Sequence, residues 1–376
     1  MNLVVKAVVS KKEMSDFISV VWRVYDNDPI WVPPLKLERR QAYSSEHPFF
    51  LHADWQAFIA YLDDIPVGRI SAQMDHLYQK EHNSLGGFFG CFEAVDNYSV
   101  IQALFEKAEG WLKDRGCHSI TGPFNLGVNQ EVGLLLDGFS SRPTFMMGHG
   151  TKYYQAHIEK LGYSEVKRMY AYEMPVVFDQ PGVMNAMLKS VRGRVTMRSL
   201  DRKRLASELE ILRTIFNDAW SSNWKFVPWT KEEFSSLGKE ILMLIPDSFI
   251  QIAEIDGRAV AFIIMMPDIN EVIGDLDGKL FPFNWLKLLW RLKVTYPKHA
   301  RVPLMGVRKE YQNGRLGAGI ALLCIDTMKG SAIAKGVSQV ELSWILEDNK
   351  GMRSIIESIG GKISKTYGMF ERQFNK

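Results

Sequence analysis

The chain has 376 residues, of which 46% are apolar and 24% charged, the composition of an ordinary globular protein. Its length favours two domains over one. The net charge of +3 is too small to indicate nucleic-acid binding by itself, so we expect no nucleic-acid partner. Three scattered cysteines form neither a CxxC pair nor a disulfide framework, which favours a reducing compartment.

The first residues, MNLVVKAVVSKKEM, contain too short an apolar run for a signal peptide. No uninterrupted run of about eighteen apolar residues occurs, so we expect no membrane-spanning helix. The predicted location is the cytoplasm, with a peripheral position at the inner face of the membrane as the alternative, and no metal is expected.

One order of elements occurs twice along the chain, namely hairpin, helix, strand, helix, strand. In the first copy the hairpin AFIAYLDDIPVGRISAQMDH turns at Asp63 and Asp64, and the helix VIQALFEKAEGWLKDRG ends at Gly116. In the second copy the hairpin SFIQIAEIDGRAVAFIIMMPD turns at Asp256 and Gly257. The second copy closes with the strand QVELSWIL, the helix NKGMRSIIESIGG and the strand KTYGMFERQF.

This repeat predicts an α/β protein of the α+β type with two tandem domains, at 1–180 and 196–376. Each domain is predicted to contain a mixed, mostly antiparallel twisted sheet flanked by helices. A linker is expected between about 176 and 196, where periodicity is weak and Pro181 and Gly182 occur.

The strongest local signal is VRKEYQNGRLGAGIALL, in which a strand ends at Val307 and glycines at 314, 317 and 319 precede a helix. Such a loop can direct backbone N–H groups and a helix N-terminus at a pyrophosphate. The Walker pattern GxxxxGK[ST] does not occur, and Leu322 breaks the dinucleotide pattern GxGxxG. A plain glycine-rich turn that begins a helix is the alternative.

The same loop resembles the Gln/Arg-x-x-Gly-x-Gly/Ala loop of the GNAT acyl-CoA N-acyltransferases, although Gln312 lies two residues before the first glycine instead of three. Asn349 and Gly360 are similar to the residues that open and close the last helix of that family. The resemblance runs from about 196 to the C-terminus and is weaker in the first copy, whose helix opens with DNYS and has no glycine loop. The whole chain resembles bacterial tandem-GNAT proteins, including the ceramide synthase type, through WVPPL, HPFF, VGRI, GPFN and ELSWILEDN.

The resemblance implies acyl-CoA, with an acetyl or longer acyl group, as co-substrate of the second domain. The first domain is interpreted as degenerate. In the family a backbone N–H of the strand before the glycine loop holds the oxyanion, which implies a position near Met305, Gly306 or Val307. The residues implied for CoA binding are Met305, Val307, Gln312, Asn313, Gly314, Arg315, Leu316, Gly317, Ala318, Gly319 and Asn349.

Many members of the family carry a tyrosine as general acid at the position of Ile356, so this acid is missing here. Glu347 and Asp348 end a strand beside the expected acyl cleft and are candidate bases, with capping of the next helix as the alternative. Tyr367 lies on the closing strand and is a further catalytic candidate, with cross-strand packing as the alternative. His149 is interpreted as a loop or capping histidine.

The segment FPFNWLKLLWRLK, residues 281–293, mixes large apolar residues with Lys287, Arg291 and Lys293. This pattern suits a helix that lies at a membrane interface or holds an acyl chain, and a partly buried helix on the sheet is the alternative.

The predicted function is transfer of an acyl group from acyl-CoA to a primary amine, either a small molecule or a lipid such as a sphingoid base. A non-catalytic acyl-CoA-binding protein is the alternative, because Ile356 replaces the usual acid. A transferase that takes its acyl group from aminoacyl-tRNA is a third reading, which the small net charge disfavours.

Overall fold

The structure is a computed structural model that describes residues 2–312 and 314–374. The described residues form two compact units. Those within Met1–Met169, Ile273–Asn284 and Lys365–Lys376 form the first unit, and those within Tyr170–Val272 and Trp285–Ser364 form the second. The units therefore interleave along the chain, whereas the domain ranges 1–180 and 196–376 are contiguous and stay a prediction.

The strands of the first unit form a mostly antiparallel sheet in the order β1-β2-β3-β4-β5-β15. Strands β1 to β4 pair antiparallel, β4 and β5 pair parallel, and β5 pairs antiparallel with β15. A separate short pair is formed by β6 and β7. The bounds are β1 Leu3–Ala7, β2 Ala53–Leu62, β3 Ile65–Asp75, β4 Gly86–Ala94, β5 Ser119–Gly122, β6 Phe124–Asn125, β7 Glu131–Val132, β8 Leu134–Asp137, β9 Ser164–Pro175 and β15 Lys362–Gln373.

The helices of the first unit begin where the sequence supplies caps. Helix α5 starts after Asn97, whose Oδ1 accepts from the amides of Ser99 and Val100, and its apolar face packs on the sheet through Leu104 and Phe105. The bounds are α1 Lys11–Ser19, α2 Val21–Val24, α3 Lys36–Ala42, α4 His76–His82, α5 Tyr98–Lys113 and α6 Tyr153–Lys160.

The second unit repeats this plan. Its strands run in the order β14-β13-β12-β11-β10, with β13 and β14 parallel and the other pairs antiparallel. The strand bounds are β10 Thr196–Ser199, β11 Ile250–Ile255, β12 Arg258–Pro267, β13 His299–Val307 and β14 Gln339–Leu346. The helix bounds are α7 Gly182–Val191, α8 Leu205–Trp220, α9 Lys231–Leu244, α10 Asn270–Ile273, α11 Asn284–Trp290, α12 Lys309–Gln312, α13 Arg315–Ala334 and α14 Lys350–Ser358.

The predicted fold class is thus confirmed, and so are both predicted hairpin turns. Asp63 and Asp64 have φ angles of 47° and 66°, and Asp256 and Gly257 have φ angles of 50° and 75°. Two successive residues with positive φ match the right-handed twist of the flanking strands, which is why Asp and Gly are found there.

The linker expected between about 176 and 196 is wrong, because helix α7 occupies Gly182–Val191. Its buried residues Met184, Leu188 and Val191 recur at helical spacing. The two residues Pro181 and Gly182, which indicated a linker, are the N-cap and first residue of this helix, where they are well tolerated.

Helix α13 is long and apolar enough to cross a membrane by length and composition alone, with a mean hydropathy of 1.4. Half of its apolar stretch is buried inside the protein, as in the core helix of a folded domain. Its apolar run is shorter than about eighteen residues, because it is interrupted by Asp326, which accepts a hydrogen bond of 2.6 Å from Gln180.

Candidate functional site

The parallel strands β13 and β14 separate before either of them ends. Their ladder begins with His299 opposite Gln339, and its last paired positions among the described residues are Val302 and Leu342. Strand β13 continues to Val307 and β14 to Leu346. The two strands therefore diverge and leave β13 amides without a ladder partner on the β14 side, where an extended ligand can bind.

The part of β13 that follows Val302 is held in place on the side that faces β12. Its residues Met305 and Val307 pair with Ile263 and Ala261 of β12. The indole Nε1 of Trp220, at the end of α8, donates a hydrogen bond of 3.1 Å to the carbonyl oxygen of Met305. These contacts hold β13 in place and so keep the opening toward β14 in a fixed shape.

The turn after β13 is held by Gln312. Its side-chain Nε2 donates to the carbonyl oxygen of Val307 at 2.8 Å and to that of Ala219 at 3.0 Å. The side chain that was predicted to bind CoA therefore braces the loop from within. Asn313, also predicted to bind CoA, lies outside the described residues.

Helix α13 begins at Arg315 with Gly314 as its N-cap, at φ 101°. Glycine carries no side chain that could cap the helix, and the first-turn amides of an α-helix have no acceptor inside the helix. Gly314 and Arg315 are exposed, and a Cβ placed at Gly314 would have no heavy atom within 4 Å. The helix thus presents its N-terminal amides and partial positive charge to open space.

The other two glycines of the loop serve packing. A Cβ at Gly317 would lie 2.0 Å from the carbonyl oxygen of Tyr311, and a Cβ at Gly319 would lie 2.5 Å from Cγ1 of Val191. Both glycines are buried. They let α13 pack against α12 and α7, and of the three glycines Gly314 is the exposed one. Leu316 and Ala318 are half-buried in the first turn of the helix.

Asn349 is the N-cap of helix α14, as its resemblance implied, and its Oδ1 accepts from the amide of Met352 at 3.2 Å. Glu347 is half-buried and Asp348 is exposed in the turn between β14 and this cap. Neither carboxylate is the cap itself, so the capping alternative does not account for them. Ile356 is 1% exposed within α14.

Tyr367 belongs to the first unit, whereas Glu347 and Asp348 belong to the second. Its ring is fully buried, it pairs with Leu135 of β8, and its hydroxyl donates to the carbonyl oxygen of Gly148 at 3.2 Å. The packing alternative accounts for this environment.

The corresponding place in the first unit is filled by the chain itself. The β4–β5 ladder ends at Phe88 and Thr121. Beyond it, a Cβ at Gly90 would lie 1.7 Å from the carbonyl oxygen of Phe124, and the amide of Cys91 donates to Oδ1 of Asn125 at 2.7 Å. No comparable ligand channel remains at these positions.

A buried polar cluster on β13 and β14 was missed by the sequence analysis. Nε of Arg301 donates to Oγ of Ser343 at 2.8 Å, and that hydroxyl donates to Glu341 at 2.6 Å. Arg301 and Glu341 face each other one position before the ladder ends. The alternation of Glu341 and Ser343 in QVELSWIL was the available signal, since a buried strand rarely places two polar residues on one face.

Trp344 lies on the diverging part of β14. Its ring is 4.8 Å from the guanidinium of Arg301, which fixes its position. Its indole Nε1 is buried and has no hydrogen-bond partner among the described residues. Buried indole N–H groups usually have an acceptor, so this group fits a bound ligand with carbonyl oxygens, such as the pantetheine arm of CoA.

His149 lies in a loop of the first unit, as predicted, and its side chain is 6% exposed. Its Nε2 is 2.7 Å from Oδ2 of Asp28, and its ring packs on Tyr25 with 5.2 Å between the ring centroids. Burial lowers the pKa of His149, and the hydrogen bond to Asp28 offsets part of that effect. Asn125, Tyr25 and Glu93 complete a polar interior in this unit, in which Tyr25 donates to Glu93 at 2.5 Å.

Two curated proteins are similar to this chain over nearly its whole length. Protein YghO of Escherichia coli is 44% identical over 372 residues, which cover 98% of this chain and 95% of that protein. The bacterial ceramide synthase of Caulobacter vibrioides is 40% identical over 374 residues, which cover 99% of this chain and 97% of that protein. No protein-family model matches the chain.

A solved tandem GNAT protein from the clavulanic acid biosynthesis pathway has the same fold, with a TM-score of 0.58 at 10% identity over 100% of this chain and 99% of that one. The fold is therefore that of a tandem GNAT protein. It belongs to the family that contains Protein YghO and the bacterial ceramide synthase of Caulobacter vibrioides.

Proposed function

We propose that the second unit binds acyl-CoA between β13 and β14 and transfers the acyl group to a primary amine. The observation that carries this proposal is the early end of the β13–β14 ladder at Val302 and Leu342, followed in sequence by a helix whose N-terminus opens on Gly314. The strand amides suit the pantetheine arm, and the first-turn amides of α13 suit the diphosphate.

The amine acceptor is proposed to be lipidic, such as a sphingoid base. This step is supported by the 40% identity to a protein named bacterial ceramide synthase. We place the reaction in the cytoplasm. The proposed location has the support of the GNAT fold.

In the proposed reaction the amine nitrogen attacks the thioester carbonyl carbon of acyl-CoA. The C–N bond forms, the C–S bond breaks, one proton leaves the nitrogen, and CoA departs as the thiol. A β13 amide near Gly306 would stabilise the oxyanion, and Glu347 or Asp348 would accept the proton. Proximity of the two reactants supplies much of the rate when no side chain acts as acid.

Release of CoA thiol from palmitoyl-CoA in the presence of a sphingoid base tests the activity, with product identified by mass spectrometry. Arg315→Glu places a negative charge at the first residue of α13 and should raise the Kd for CoA by about tenfold, equivalent to about 1.4 kcal/mol. The matched control is Lys335→Glu at the exposed C-cap of the same helix. Equal CoA affinity of both variants and the wild type would refute the site.

An acyl-CoA-binding protein without transferase activity is the second candidate function. It is favoured by Ile356, whose buried position leaves no hydroxyl where the family's tyrosine acid lies. Tight CoA binding without thiol release, across long-chain and short-chain amines, would establish it.

A further inference from the structure

Helix α11 exposes an apolar face. Trp285, Leu286, Leu289 and Trp290 are 41%, 50%, 48% and 61% exposed. At about 100° per residue these four side chains fall within an arc of about 140° on the helix. We call them the tryptophan face. Leu292, which follows the helix, is 7% exposed, and Nη1 of Arg291 donates to the carbonyl oxygen of Val272 at 2.6 Å, so the chain is anchored directly after the tryptophan face.

A further apolar side chain is exposed after this helix. Val294 is 57% exposed. Single exposed apolar residues are normal on protein surfaces, whereas five within ten positions (285 to 294) mark an interaction surface.

The charge of the same segment has one sign. Residues 285–293 include Lys287, Arg291 and Lys293 and contain no Asp or Glu. Lys293 is exposed at the end of the tryptophan face. An apolar face with basic residues around it is complementary to a bilayer with anionic headgroups, because the face enters the acyl boundary while the lysines remain among the phosphates.

We propose that the tryptophan face binds the surface of an anionic lipid bilayer. Trp285 and Trp290 suit the headgroup level, since an indole combines a large apolar ring with an N–H donor. A second copy of the chain is a poorer occupant, because apposing two such faces would bring their lysines and arginines together. The proposal is independent of the proposed function, since a surface that binds a bilayer can accompany any acceptor.

Vesicle sedimentation tests the proposal with the full chain. Vesicles of phosphatidylcholine, with and without phosphatidylglycerol, are mixed with wild-type protein, with Trp285→Gln/Trp290→Gln, and with Leu51→Gln/Met243→Gln. The last variant is the matched control, since Leu51 and Met243 are 75% and 74% exposed outside the segment. Circular dichroism and the Tm of each variant establish that it is folded.

We expect wild type and control to bind vesicles containing phosphatidylglycerol, and the tryptophan variant to bind them about tenfold or more weakly. Raising the ionic strength or introducing Lys293→Glu should weaken wild-type binding. Equal binding by the two double variants, or no wild-type binding to either vesicle, would overturn the proposal. A wild-type dimer that Trp285→Gln/Trp290→Gln dissociates, without a change in vesicle binding, would assign the face to self-association instead.

Discussion

The backbone amide of Cys91 donates a hydrogen bond of 2.7 Å to Oδ1 of Asn125, and this contact fills in the first unit the place that the β13–β14 divergence leaves open in the second. The N-terminus of helix α5 is likewise closed by a side chain, whereas that of α13 is not. Oδ1 of Asn97 accepts from two first-turn amides of α5, whereas α13 starts at Gly314. Both differences support a single acyl-CoA site, in the second unit.

Two variants of the first unit test this asymmetry. Asn97→Ala removes a helix cap and should lower the free energy of unfolding by about 1 kcal/mol, while the Kd for CoA stays unchanged. Asn125→Ala leaves the Cys91 amide without its acceptor and should also destabilise the protein by about 1–3 kcal/mol. Isothermal titration should give one CoA per chain in both variants. Two sites per chain, or loss of CoA affinity in these variants, would contradict the assignment.

Close packing at Gly319 predicts a coupled pair of substitutions. Gly319→Ala brings its Cβ against Val191, 2.5 Å from Cγ1, and should lower the free energy of unfolding by about 1–3 kcal/mol. Val191→Ala removes the obstructing methyl groups, so the double variant should lose less stability than the sum of the two single variants. Urea unfolding of the four proteins measures the coupling. Strict additivity would show that Gly319 is not held by this contact.

The buried cluster of Arg301, Ser343 and Glu341 predicts a second stability effect. Glu341→Gln leaves the guanidinium of Arg301, 2% exposed, without its carboxylate and should cost about 3–5 kcal/mol. Arg301→Met combined with Glu341→Leu removes both charges and should be much less destabilising than either single change. Thermal and chemical unfolding of all three variants decide this. A mild effect of Glu341→Gln would mean that the ion pair contributes little to folding.

Burial of His149 predicts a pH dependence of stability. Its folded pKa lies below the ordinary value of 6.5, so below about pH 6.5 the unfolded chain takes up a proton that the folded protein does not. Stability therefore decreases as the pH falls through this window. We expect a steeper decrease in the wild type than in His149→Gln, measured by urea unfolding between pH 7.5 and pH 5. Parallel curves for the two proteins would contradict the assigned shift.

Periodicity and turn residues predicted most of the fold because they report local geometry. Asp256 and Gly257 have the positive φ angles that their hairpin requires, and Gly116 and Gly336 end their helices with φ angles of 77° and 75°. Helix α7 was missed because proline and glycine at a helix start look the same as a linker in sequence. The assignment of Lys365–Lys376 to the first unit depends on long-range pairing with β5, which no local pattern encodes.

The candidate site was predictable only in part, for a related reason. The glycine loop was found from its spacing, but three glycines look equivalent in sequence, and only the tertiary contacts of Gly317 and Gly319 separate them from the exposed Gly314. The β13–β14 ladder ends at Val302, directly before Pro303, which has no N–H to donate. A proline in a strand signals a missing ladder bond, but not that the two strands separate. The alternation of residues along its strand did not show whether Tyr367 is buried or exposed. Its burial follows from packing in the first unit.

Amide hydrogen exchange with and without CoA tests the central claim most directly. CoA should slow exchange at the first-turn amides 315–317 of α13 and along the diverging part of β13, 304–307, and should leave amides 98–101 at the start of α5 unchanged. Unchanged exchange at 315–317 with CoA bound, or protection at 98–101 instead, would contradict an acyl-CoA site in the second unit.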